Sequence, residues 1–328
     1  MRGRKYLWVL ALVLVGLFLA GASLANAEAK KMSFGYRLTM TSMVLMQGKY
    51  WEKYGLDFEA KLFSTGIEMR EGIITNKVNL GEVGITPTSV ALTKAGKDLY
   101  VVGVGEYGGG KYRIMVKNSS PYKTIQDLVG KKVAIKIGSG CYVAFLLFLD
   151  KHGLAEKQFQ ILNAGDTESI AAMEEGSVDA VIYWEPIPSV LEAKGLAREL
   201  ANFADVVRNP VFMVTQREFA ENNKEVLLKT LAAFADAQDL IMTDRKKAAQ
   251  MVVDILASHG QKGVGAEVYE RALSHSTYSL PLLPMLQEDL KENWRTLQEK
   301  GKIKGAEPDW KSVLKPDIAE EALKLRKK

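Results

Sequence analysis

From residue 32 to about residue 200, short runs rich in β-branched and other apolar residues alternate with stretches whose apolar positions recur every three to four residues. These are the periods of strand and amphipathic helix, and their alternation predicts an α/β fold. Strands are expected at 33–36, 57–62, 79–83, 99–104, 132–135, 160–162, 180–183 and 198–200. Helices are expected between them, among others at 42–54, 68–76, 142–152 and 167–175, and the series of βα units breaks once, around 113–123. Beyond an extended run at 210–215 the spacing is helical to the end. Helices are expected there at 227–242, 246–259, 266–274 and 282–300, punctuated by Pro281, Pro284, Pro308 and Pro316.

The pattern repeats internally. Ile73-Ile74-Thr75-Asn76-Lys77-Val78-Asn79-Leu80 ends a helix and starts a strand, and Met173-Glu174-Glu175-Gly176-Ser177-Val178-Asp179-Ala180 does the same one hundred positions later. In both copies a proline, Pro87 or Pro186, follows where the next helix should begin, and N1 is the expected place for it. The extended segments 113–117 and 210–215 bracket the second α/β block. The expected organisation is therefore a discontinuous first lobe, 28–114 and 214–328, with a second lobe, 115–213, reached through two crossing strands. The C-terminal helical region would pack on the first lobe.

Residues 1–27 combine a basic start (Arg2, Arg4, Lys5), an apolar run over 7–20 and a small-residue end, Ala25-Asn26-Ala27. That is the pattern of a secretory signal peptide with an A-x-A cleavage site. No cysteine follows it to take a lipid, so a periplasmic location is expected. Removing it leaves 301 of 328 residues, enough for two lobes of ordinary size. It also removes three of 44 basic and none of 39 acidic residues, leaving a net charge of +2. Near neutrality gives no reason to expect nucleic acid as a partner. Cys141 is the single cysteine and cannot form an internal disulfide, and His152, His259 and His275 are scattered. No spacing asks for a metal or cofactor.

Several segments, in order along the chain, resemble one family. They are Tyr50-Trp51-Glu52-Lys53-Tyr54-Gly55-Leu56, Gly81-Glu82-Val83-Gly84, Ser119-Ser120-Pro121, and Asp127-Leu128-Val129-Gly130-Lys131-Lys132-Val133-Ala134. Gly138-Ser139, Gly176-Ser177-Val178-Asp179-Ala180 and Trp184-Glu185-Pro186 complete the set. The chain is similar to the nitrate/sulfonate/taurine substrate-binding proteins, a family that also holds binders of thiamine-pyrimidine precursors. The resemblance implies the type II periplasmic binding protein fold: two α/β lobes, a cleft at the carboxyl ends of the strands, and closure around a solute by hinge motion. It further implies a monomer that delivers the solute to an ABC permease in the inner membrane, with no enzymatic role.

The strand ends supply the candidate lining. After the first strand come Arg37 and Thr39, after the second Thr65 and Gly66, after the third Thr86 and Thr88, and after the fourth Glu106 and Tyr107. The second lobe offers Ser139, Gly140 and Tyr142 at a strand-loop-helix joint, then Trp184 and Glu185. Ser139 and Gly140 suit close backbone approach to an anion, although a plain helix cap reads the same way. Asp166 reads as an ordinary N-cap. Trp184 would form an apolar wall. Glu106 and Glu185 must face solvent, bridge the lobes or accept from a ligand N–H, with Arg37 and Lys136 as cationic counterparts. Cys141 at a helix start reads as packing and not as a nucleophile.

These residues predict capture of a small organic anion such as an alkanesulfonate or taurine. One alternative keeps the role but takes an aromatic amine, a pyrimidine held between Trp184 and a tyrosine with Glu106 or Glu185 accepting its N–H groups. Another is an enzyme on the same fold, of the pyrimidine-synthase kind.

Overall fold

A computed structural model describes residues 31–326, so the signal peptide expected at 1–27 lies outside the described residues. Within the described residues ten strands form two five-stranded sheets. The first lobe holds β1 (Met32–Tyr36), β2 (Phe58–Leu62), β3 (Leu80–Gly84), β4 (Leu99–Glu106) and β10 (Val211–Gln216), in the order β2-β1-β3-β10-β4. The second holds β5 (Tyr112–Lys117), β6 (Lys132–Ile135), β7 (Gln160–Asn163), β8 (Ala180–Trp184) and β9 (Ala197–Asn202), in the order β7-β6-β8-β5-β9. The two orders correspond strand for strand. In each, three parallel strands meet one antiparallel strand that returns from the other lobe: β10 beside β3, β5 beside β8. The repeated eight-residue segments lead into β3 and β8, which occupy equivalent places.

Helices follow the parallel strands. In the first lobe these are α1 (Met40–Gly48), α2 (Gly66–Ile74) and α3 (Ile85–Ala95); in the second, α4 (Gly140–Lys151), α5 (Asp166–Glu175) and α6 (Ile187–Ala193). The expected helix 42–54 is two pieces. α1 ends at Lys49, whose φ of 48° is left-handed, and a 3₁₀ turn at Tyr50–Tyr54 follows. The break lets Trp51 stack on Phe58, with ring centroids 4.5 Å apart. Neither proline sits at N1 as expected: α3 begins at Ile85 and so places Pro87 two positions further in, while Pro186 caps α6. Both remain where a helix has no intrahelical use for the missing N–H.

The strands expected to cross between lobes each belong to one sheet. Among the described residues β5 pairs with β8 and β9 alone, and β10 with β3 and β4 alone. Boundaries at 114 and 213 would cut both strands and strand their buried backbone groups without partners. The chain instead crosses in the segments 107–111 and 203–210. These crossings touch: the Gly108 N–H donates to the Arg208 carbonyl at 2.6 Å, and a Cβ on Gly109 would lie 2.1 Å from the Val207 carbonyl oxygen. Only glycine fits there.

The rest of the chain is α7 (Arg217–Asn222), α8 (Lys224–Thr243), α9 (Arg245–Ser258), α10 (Ala266–Ser274), α11 (Pro284–Glu299), α12 (Trp310–Val313) and α13 (Pro316–Leu325). α8 buries Leu227, Leu231, Phe234 and Ile241 in the core of the first lobe with Phe34, Val44 and Leu80. Two of these helices also reach the second lobe. α10 packs on α6, and Trp294 and Leu297 of α11 pack against Val143 of α4. α4 is apolar nearly all round because it is covered on both sides.

Candidate functional site: the cleft between the lobes

A cleft of about 490 Å³ lies between the carboxyl ends of the two sets of parallel strands. From the first lobe it is lined by Arg37 and Thr39 after β1, Ser64 to Ile67 after β2, Gly84 and Pro87 after β3, and Glu106 at the end of β4. The second lobe adds Lys136 to Cys141 without Ile137, Gly165 to Glu168, Tyr183 to Glu185, and Lys111 and Tyr112. The helices α1, α2, α4 and α5 start here, so unpaired first-turn N–H groups and positive dipole ends converge on the cavity from both lobes. At α2 and α4 the capping side chain serves its own helix: Thr65 accepts from the Glu68 N–H and Ser139 from the Tyr142 N–H.

The charges fall into matched and unmatched groups. Lys111, buried, donates to Glu106 at 2.9 Å. Asp166 accepts from the Tyr183 hydroxyl at 2.5 Å. Glu185 accepts from Arg113 at 3.0 Å and from the Ser189 N–H at 3.1 Å, and His275 at the end of α10 lies 3.8 Å from it across the lobes. Arg37 is the exception. No carboxylate pairs with its guanidinium among the described residues, and its Nε is buried without a hydrogen-bond partner. Lys136 likewise has no ion-pair partner among the described residues and is half-buried. An anion in the cleft would meet two cations that have no ion-pair partner among the described residues, and first-turn backbone donors.

Beneath Arg37 lies Glu82, which is 1% exposed and accepts from the hydroxyls of Thr39, at 2.6 Å, and Ser42. Burial raises the Glu82 carboxyl above its ordinary value, opposed by the Ser42 and Thr39 bonds and the Arg37 charge. A carboxyl raised on folding stabilises fully below its unfolded value, and that contribution is lost as pH rises through the folded value. Glu82→Gln keeps the acceptor and removes the titration. Its stability relative to the parent chain should therefore grow as pH rises above the ordinary carboxylate range, read from urea unfolding at each pH.

Of the residues expected from the sequence, Arg37, Thr39, Thr65, Gly66, Glu106, Ser139, Gly140, Trp184 and Glu185 line the cleft. Four expected there lie elsewhere. Thr86 and Thr88 are buried within α3: Thr86 faces Asn293 of α11, and Thr88 donates back to the Val83 and Gly84 carbonyls. Tyr107 pairs through its backbone with Thr277 in both directions. Tyr142 sits in the second lobe's core and donates to Glu156 at 2.5 Å, with burial and that carboxylate pushing its hydroxyl pKa up. Lys111, Tyr112, Tyr183, Thr167 and Glu168 were not expected and do line the cleft.

Residues 43–248 match the model of the family described as NMT1/THI5 like, well over half of the chain. The chain belongs to that family. Among the relatives of this NMT1/THI5-like chain is an aliphatic sulfonates-binding protein of Escherichia coli (strain K12). It is 28% identical over 320 residues, covering 90% of this chain and 98% of the relative. The taurine-binding periplasmic protein of the same strain is 22% identical over 217 residues, covering 65% of this chain and 67% of the relative. The alkanesulfonate-binding protein SsuA from Xanthomonas axonopodis pv. citri, solved bound to MOPS, superposes with a TM-score of 0.78 at 22% identity over 88% of this chain and 99% of that one. The periplasmic nitrate-binding protein NrtA from Synechocystis PCC 6803 gives 0.72 at 15% identity, over 92% and 90%. At these identities the structures establish the shared two-lobed fold. No helix among the described residues is long and apolar enough to cross a membrane.

In this NMT1/THI5-like chain Cys141 lines the cleft through the start of α4, yet its side chain is fully buried. Burial raises the thiol pKa well above the ordinary value, the opposite of what a nucleophilic thiolate requires. Cys141→Ser should leave the dissociation constant of a bound solute within about twofold, a change of about 0.4 kcal/mol, by isothermal titration. A folded Cys141→Ser variant that no longer binds would restore a chemical role for the thiol.

Proposed function

We propose that this chain is the solute-capturing component of an ABC importer, working outside the cytoplasmic membrane and without enzymatic activity. Its solute is a small organic anion of the alkanesulfonate or taurine kind. The observation that carries the reading is Arg37, a cation at the cleft whose Nε is buried and unpartnered where helix N-termini from both lobes converge. The names of the sulfonate- and taurine-binding relatives support the same class. Leu62, Pro87 and Trp184 provide apolar surface beside the charged groups for the carbon part of such a solute. The aromatic-amine alternative loses its main acceptors, because Glu185 is held by Arg113 and Ser189 and Glu106 by Lys111. Small-molecule capture then presents the closed pair of lobes to a permease.

A melting series with butanesulfonate, taurine, butanol and butylamine tests this. A solute present at one hundred times its dissociation constant adds about 2.7 kcal/mol to stability. The sulfonates should raise the melting temperature and the alcohol and amine should not. Small-angle scattering should show compaction with the stabilising sulfonate, since among the described residues the backbone passes between the lobes in just two crossings. Stabilisation by butylamine alone would reject the anion reading.

A further inference from the structure

One residue of the second crossing bears on the cleft from behind. Asn209 is 5% exposed and holds a left-handed backbone with φ of 46°, a conformation that asparagine tolerates better than most residues. Its Nδ2 donates to the Gly140 carbonyl at 2.8 Å, across 69 positions of sequence, while its Oδ1 is buried without a partner. The neighbouring Arg208 forks onto Asp289 of α11 at 2.8 and 2.6 Å, and its carbonyl takes the Gly108 N–H of the first crossing. Asn209 is thereby tied to the first lobe and the other crossing on one side, and to α4 of the second lobe on the other.

The Gly140 carbonyl is one end of a planar trans peptide whose other end is the Cys141 N–H, and the two point in opposite directions. In the first turn of a helix that N–H has no intrahelical acceptor. The Ser139 hydroxyl serves the Tyr142 N–H and leaves the Cys141 N–H directed out of the helix start, toward the cleft that Ser139, Gly140 and Cys141 line. A donor on the carbonyl both fixes the peptide plane and polarises the N–H at its far end. The approach also requires glycine: a Cβ on Gly140 would lie 2.6 Å from Asn209 Oδ1 and 3.1 Å from Ile85 Cγ2.

We propose that Asn209 is a positioning residue for solute capture, setting the α4 N–H that receives the anionic group and linking that donor to the crossing about which the lobes turn. The proposal rests on the reading of the cleft as an organic-anion site. Asn209→Gly keeps the left-handed backbone and removes the bond; Asn209→Asp keeps the side-chain shape and removes the donor. With butanesulfonate as probe, both variants should bind about tenfold more weakly than the parent, mainly through faster dissociation, by stopped-flow and titration. A second readout needs no ligand. The amides of Val143 and Ala144, which bond the first-turn carbonyls of α4, should exchange with deuterium about tenfold faster in the ligand-free variants. Affinity and exchange both within twofold of the parent, in an Asn209→Gly protein that melts normally, would overturn the proposal. Should the parent chain not bind butanesulfonate, the anion-capture reading fails on its own, and unchanged exchange in the variants still overturns the role of Asn209. If Asn209→Gly fails to fold, Asn209→Asp decides by the same two measurements.

Discussion

Arg37→Ala should abolish high-affinity sulfonate binding, and the ligand-free protein should lose only the support that the Arg37 charge gives the buried Glu82 carboxylate. Arg37 is an unpaired cation with a buried, unpartnered Nε, so its removal breaks no ion pair among the described residues. In the complex it would supply charge-assisted bonds to the anionic group, and losing them costs about 2–3 kcal/mol, or about 30- to 150-fold in affinity. Arg37→Lys keeps the charge and loses the planar fork, so an intermediate loss is expected. Titration with butanesulfonate alongside thermal melting reads both quantities. Unchanged affinity in Arg37→Ala would mean that helix N-termini and Lys136 hold the anion by themselves.

The second large effect concerns stability. Arg113 of β5 is 4% exposed and is gripped by Glu185 at 3.0 Å, Glu192 and Glu199, one from the end of β8, one from α6 and one from β9. Burial alone would lower its pKa; the bonds and charges of the three carboxylates outweigh burial and hold it above the ordinary arginine value. Arg113→Met would leave three carboxylates together, with only Arg271 at 3.9 Å from Glu192 and His275 at 3.8 Å from Glu185 as basic neighbours among the described residues, and should cost about 3–5 kcal/mol in urea unfolding. Adding Glu185→Gln, Glu192→Gln and Glu199→Gln to that variant should recover most of the loss, since it is the uncompensated charge that is expensive. Glu185→Gln alone should weaken stability by about 1–3 kcal/mol and shift taurine and butanesulfonate affinities equally, because the carboxylate serves Arg113 and the Ser189 N–H. A cost of less than about 1 kcal/mol for Arg113→Met would place the cluster among ordinary surface ion pairs.

Much of the architecture was legible in the linear chain because it is written in short-range periodicity. The βα alternation, the repeated joints before β3 and β8, and the helical C-terminal region all follow from which residues bury one face. Arg37, Thr39, Thr65, Gly66, Ser139 and Gly140 could be placed at the cleft because a loop after a parallel strand and before a helix opens at that end of the sheet. The same rule failed for Thr86 and Thr88, since α3 starts at once after β3 and its first turn carries both hydroxyls into the core.

What the sequence by itself determined is therefore most of the elements, their order and several of the loops that line the cleft, each a property of a few neighbouring residues. Tertiary structure alone decided which sheet β5 and β10 join. Because both run antiparallel to their neighbours, their first residues lie where the parallel strands end, and this brings Lys111, Tyr112 and Val211 to the cavity with no local signal. Tertiary structure also decided the fate of the charges. Glu185 meets Arg113 across 72 positions while Arg37 has no ion pair among the described residues and acts on the buried Glu82 only through its charge, and packing at long range determines which cation is spent on an ion pair.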